Sequence, residues 1–175
     1  MLMSIGIKFF AALAVLCLAA TSGAQEVQVN ATKGGIVLSV PSEKPYELMA
    51  GENKTPTLSV ECLHKGKKAS HLLMFAPGGS VVDEASDSGA KGAQTFVIIL
   101  NGKKLVTPWV QYGETGNYAY AAKTDPERLD FIHTVLRAPT VSVEFKPFLT
   151  GTPTTSTFDV SKLREALSAQ SACAE

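Results

Sequence analysis

Thr95-Phe96-Val97-Ile98-Ile99-Leu100-Asn101-Gly102-Lys103-Lys104-Leu105-Val106-Thr107 is the stretch that decides the fold class. Two runs of β-branched and aliphatic residues flank an Asn-Gly pair. A type I′ turn needs positive φ at both central positions, which asparagine and glycine tolerate. The stretch therefore predicts two antiparallel strands joined by a two-residue loop.

The neighbouring segments read the same way. Val27 to Val40 alternates or runs in short β-branched clusters broken by Lys33-Gly34-Gly35, which fits two strands and a turn. In Thr57-Leu58-Ser59-Val60-Glu61-Cys62, the residues Leu58, Val60 and Cys62 share one face, so Cys62 faces the core. The basic turn Lys65-Gly66-Lys67-Lys68 leads into His71-Leu72-Leu73-Met74-Phe75, ended by Pro77-Gly78-Gly79. Pro108 to Tyr112 and Asn117 to Tyr120 predict further strand, with Pro108 at an edge or bulge.

Two helices interrupt this pattern. Thr124-Asp125-Pro126-Glu127 is a helix start, followed by Leu129, Ile132, His133 and Leu136 at helical spacing. A strand at Thr140 to Phe145 follows, then a short one near Thr155 to Phe158. Ser161 opens a last helix that presents Leu163, Ala166 and Leu167 on one face and ends at Cys173. The expected architecture is mainly β: an antiparallel β-sandwich or partly closed barrel, with one inserted helix and a disulfide-tethered C-terminal helix.

At 175 residues the chain is long enough for one domain. Sixteen basic residues balance sixteen acidic ones, which argues against a polybasic nucleic-acid binder. Met1 to Ala24 has Lys8, an apolar run from Phe9 to Ala20, and small residues Ser22 and Ala24 before Gln25. That is the pattern of a cleaved signal peptide, and the run is shorter than the roughly 20 residues a membrane span needs. Residues 25–175 are then a single β-rich domain, periplasmic or secreted, with no stable membrane insertion once the leader is removed. Of the three cysteines, Cys62 and Cys173 survive cleavage, and an even pair in an oxidising compartment predicts a disulfide.

The last third carries a recognisable cadence: Trp109, the helix with Phe131-Ile132-His133-Thr134-Val135-Leu136, the strand Thr140-Val141-Ser142-Val143-Glu144-Phe145, and Phe158-Asp159-Val160-Ser161-Lys162-Leu163 closing on Cys173. This resembles small periplasmic proteins of the VasI-type group associated with type VI secretion, over about residues 57–173. Lys162 stands where that group often has glycine. The resemblance implies a β-rich domain ending in a strand, a helix and a cysteine paired to an earlier strand, and it hints at a secretion-system role.

Cys62, His64 and His71 could approach one another across the hairpin, but tetrahedral zinc needs a fourth ligand and Cys62 has Cys173 as a partner. His133 sits on the apolar stripe of its helix, where a packed histidine is the commoner outcome. Asp83, Glu84 and Asp87 lack the EF-hand spacing and its closing glutamate, so they read as a solvated acidic loop within Ser80 to Gly92. Ser80 after Gly78-Gly79 fails the nucleophile-elbow pattern at Val82. Phosphate-loop, dinucleotide and HExxH patterns are absent from the sequence. No catalytic residue, metal ligand or cofactor is assigned.

The aromatic set Trp109, Tyr112, Tyr118 and Tyr120 has two readings: core packing, which the burial habit of aromatics favours, and an outward recognition surface. The second is the candidate binding surface. The expected function is a non-enzymatic periplasmic binding or envelope-accessory protein with an envelope or secreted protein partner. It would act through an exposed sheet face or through the loops at Ser80 to Gly92 and Gln111 to Asn117. The alternatives are an inhibitor or effector-type module using a rigid protruding loop, and a secreted hydrolase with a pocket joining His71 or His133 to a carboxylate or serine.

Overall fold

A computed structural model of the chain describes residues 26–32, 34–65, 68–82, 93–113, 116–170 and 173. The leader and most of the acidic loop, with Asp83, Glu84 and Asp87, lie outside the described residues, as does the side chain of His64.

The strands are β1 (Gln28–Thr32), β2 (Gly35–Pro41), β3 (Tyr46–Met49), β4 (Glu52–Lys54), β5 (Thr57–Lys65), β6 (Lys68–Ala76), β7 (Ala93–Leu100), β8 (Lys103–Tyr112), β9 (Asn117–Tyr120), β10 (Thr140–Phe145) and β11 (Thr154–Asp159). Helix α1 (Asp125–Arg137) lies between β9 and β10, and α2 (Val160–Ser168) follows β11. Nine strands form one sheet in the order β1-β2-β5-β6-β9-β8-β7-β10-β11, and every neighbouring pair is antiparallel. The hairpin β7–β8 turns through Asn101 at φ 49° and Gly102 at φ 78°, the two positive values a type I′ loop requires. The short hairpin β3–β4 is an element that the sequence reading did not identify.

The sheet curls until its two ends meet. The Glu43 N–H, just after β2, donates to the Thr157 carbonyl of β11 at 2.8 Å. Phe75 of β6 lies across the core from Phe145 of β10 (5.2 Å between ring centroids) and Phe158 of β11 (6.2 Å), strands far apart in the sheet order. One continuous core results, with Leu38, Val60, Leu73, Ile98 and Val143 alternating inward from their strands. Gly35 is required where β2 crosses β5, because a Cβ there would stand 1.7 Å from the Cys62 carbonyl oxygen.

The helices cover this core. Thr124 caps α1 by accepting the Glu127 N–H, Glu127 accepts the Lys123 N–H in return, and Pro126 fills the first turn, whose missing donor costs nothing. Ile132, Val135 and Leu136 are the buried stripe of α1. Arg164 of α2 donates to the Leu136 carbonyl at 3.1 Å, satisfying an end group of α1. Asp159 caps α2, two residues before the start read from the sequence, and the helix ends at Ser168 rather than at Cys173; Val160 and Leu163 are buried. The Cys62–Cys173 disulfide closes 111 residues of chain and ties the segment after α2 to β5. No described helix is long and apolar enough to cross a membrane.

Candidate functional site

Strand parity on β8 separates the aromatic set. Thr107 and Trp109 point into the core, whereas Lys104, Val106, Pro108, Val110 and Tyr112 point away from it. Trp109 is fully buried, its indole N–H donates to Thr107 Oγ1 at 2.8 Å, and that hydroxyl donates to the Phe96 carbonyl at 3.0 Å. Tyr118 packs edge-on against Phe96, and Tyr120 stacks on Phe131 of α1 at 4.2 Å. Trp109, Tyr118 and Tyr120 are therefore core residues, and the expectation that they form a recognition surface is corrected. The reason is that Trp109, Tyr118 and Tyr120 share the inward parity of the β8–β9 ladder, in which Trp109 pairs with Tyr120. Of the candidate surface, Tyr112 alone is on the outer face.

That face has its own organisation. Val106 is 73% exposed, with Pro108, Val110 and Tyr112 continuing the row. The ladder β8–β9 covers only Trp109 to Tyr112, so among the described residues the Lys103–Thr107 part of β8 has a strand neighbour on the β7 side alone. Pro108 fits this geometry: its carbonyl takes the Ala121 N–H at 3.0 Å where β9 ends, so its nitrogen faces the side that has no ladder to continue.

Beside this row the face becomes concave. Glu61 of β5 and Tyr112 of β8 are separated in the sheet by β6 and β9 and by four residues of register, about 20 Å on a flat sheet. Yet the Tyr112 hydroxyl donates to Glu61 Oε2 at 2.9 Å. The sheet must bend toward its outer side here, and it encloses a depression of about 290 Å³ lined by Val37, Ser39, Ser59, Glu61, Met74 and Tyr112, among others. Ser59 donates to Ser39 at 2.8 Å across β2–β5.

Burial raises the Tyr112 phenol above the ordinary value of 10.0, and the hydrogen bond to Glu61 and the charge of that carboxylate add to the rise. A phenolate there would face an anion. The folded state thus holds this proton more tightly than the unfolded chain does. The resulting stabilisation is complete below pH 10 and is lost as pH rises through the folded value. In an alkaline titration followed through tyrosine ¹³Cζ resonances, Tyr112 is expected to ionise later than a free tyrosine. Glu61→Gln should bring it part of the way down, since burial, the largest cause, remains. An unchanged Tyr112 titration in that variant would contradict the contact.

Other sequence candidates are placed elsewhere. His71 Nε2 lies 3.3 Å from the Cys173 carbonyl oxygen, beside the disulfide. His71, Ser70 and Asp125 do border a common cavity, but Asp125 accepts from Arg128 at 2.6 Å, and no hydrogen bond joins His71 to Ser70 or Asp125 among the described residues. His133 is half-buried on α1. Among the described residues no cluster of His, Cys, Asp and Glu has metal-site geometry.

Sequence reasoning missed Glu61, which alternation on β5 placed on the polar face, and its burial depends on Tyr112 reaching over two strands. The signal that was available is parity: Trp109 and Tyr112 are three residues apart on one strand and so must face opposite ways. In comparisons with family models, curated proteins and solved structures, the chain matches none of them.

Proposed function

We propose that this is a secreted, periplasmic, non-enzymatic binding or envelope-accessory protein that docks a protein partner on the outer face of β8. The observation that carries this reading is the row Val106, Pro108, Val110 and Tyr112: apolar side chains on a strand whose Lys103–Thr107 backbone is paired on one side only among the described residues. Exposed apolar side chains beside an incomplete ladder suit an extended segment of a partner, which gains main-chain hydrogen bonds and side-chain contact together. Signal-peptide features and the disulfide support a partner met in an oxidising envelope or outside the cell. The VasI-type resemblance adds a secretion-system setting to the same reading.

A second reading, an inhibitor module, draws on the loop between β10 and β11. Phe148 (64% exposed) and Leu149 protrude there, and the loop is held by the Phe148 N–H to Ser80 carbonyl bond at 2.8 Å and the Gly151 N–H to Pro147 carbonyl bond at 2.9 Å. The hydrolase reading is the weakest, since His71 is turned to the Cys173 carbonyl and Asp125 is held by Arg128.

One experiment separates these readings. Mature protein is used to capture crosslinked partners from intact envelopes, as wild type, Val106→Asp/Val110→Asp and Phe148→Ala/Leu149→Ala. Both variants alter exposed positions and should stay folded. Loss of a specific partner only in the β8 variant is expected. Loss only in the Phe148/Leu149 variant would transfer the function to the loop, and a partner retained by both would overturn docking at either surface.

A further inference from the structure

Glu61 is the only charged side chain among the described residues that is buried, at 6% exposure. It lies on the solvent side of the sheet, in the wall of the depression, with the rest of the wall neutral. Its hydrogen-bond partner is the Tyr112 hydroxyl, and no Lys, Arg or His among the described residues forms an ion pair with it. Its carboxylate borders the depression with one phenol and no cation beside it among the described residues, so a cation entering from outside would find an unneutralised anion there.

We infer that the Glu61–Tyr112 depression binds a primary ammonium group on an alkyl stem, foremost a lysine side chain of the docked partner. This deepens the proposed function and rests on docking at that face. The shape of the site selects the cation. Glu61 presents a single carboxylate in a small depression, which a compact ammonium on a flexible stem reaches with one bond, whereas the wider planar guanidinium needs room for its whole fork. Met74 and Val37 offer apolar surface to a methylene stem, and the Tyr112 ring adds an electron-rich face for the charge. A volume of about 290 Å³ suits one side chain rather than a larger ligand.

The test titrates the folded mature protein with N-acetyl-lysine methylamide, with 1,5-diaminopentane as a free amine, and with N-acetyl-norleucine methylamide as a neutral analogue, following the Tyr112 ring resonances. Saturable shifts with the amines are expected, at least about tenfold weaker for the norleucine analogue and for Glu61→Gln, and weakened by salt. Tighter binding of lysine methylamide points to a partner side chain, and tighter binding of diaminopentane to a free amine. The comparison of lysine with norleucine needs only wild-type protein and stands even if Glu61→Gln misfolds. Equal binding of lysine and norleucine analogues, an unchanged Glu61→Gln, or no saturable shift with either amine would overturn the inference. Failure here combined with partner loss in Val106→Asp/Val110→Asp would remove the ammonium site and leave the docking face in place.

Discussion

Trp109→Ala is expected to lower the unfolding free energy by about 3–5 kcal/mol, while Tyr112→Ala costs about 1–2 kcal/mol through its bond to Glu61. The two residues are three apart on β8, yet Trp109 is fully buried and Tyr112 lies on the outer face. Removing the indole opens a cavity between Phe96 and Tyr120 and takes away the donor that Thr107 Oγ1 accepts. Thr107 keeps its bond to the Phe96 carbonyl, so the cost is mostly lost packing. Urea unfolding of both variants gives the comparison directly. Similar losses for the two would mean that the inward and outward assignments on β8 are wrong, and with them the candidate face.

Cys62→Ser/Cys173→Ser is expected to cost about 4–5 kcal/mol, the value chain-entropy reasoning gives for a closed loop of this size. The loop spans 111 residues; α2 itself is also anchored by Val160, Leu163, the partly buried Ala166 and Leu167 and the Arg164–Leu136 contact, so the tether matters most for the segment beyond it. The His71 contact to the Cys173 carbonyl should be lost with the tether, so the tail is expected to become protease-sensitive beyond α2 while the sheet remains folded. Unfolding with and without reductant checks this: reductant should bring wild type close to the variant and leave the variant unchanged. A loss below about 1 kcal/mol would show that the tail is held by other contacts.

Much of the fold was legible because local chemistry and global pairing agree. Asn101-Gly102 dictates its turn, Leu58, Val60 and Cys62 point inward by simple alternation, and Thr124 through Glu127 encodes its own cap. The hairpin β3–β4 was missed because Tyr46 to Lys54 is short and mostly polar, and its place is set by tertiary contact, with Tyr46 packing edge-on against Phe145. The candidate site was hidden for a related reason. Glu61 and Tyr112 are 51 residues apart and meet only because the sheet bends, and that curvature comes from the summed pairing of all its strands. The aromatic cluster misled in the opposite direction. Composition drew attention to four rings, although parity alone puts Trp109 and Tyr112 on opposite faces.

The most direct test of the docking face is position-resolved photocrosslinking in intact envelopes, with a photoreactive residue placed in turn at Val106, Val110 and Tyr112 on β8 and at Arg137 and Glu165 on the helices. Docking on the outer face of β8 predicts adducts to one and the same protein from the three strand positions and none from the two helix positions. Adducts from the helix positions alone, or a scatter of unrelated proteins from all five, would contradict it.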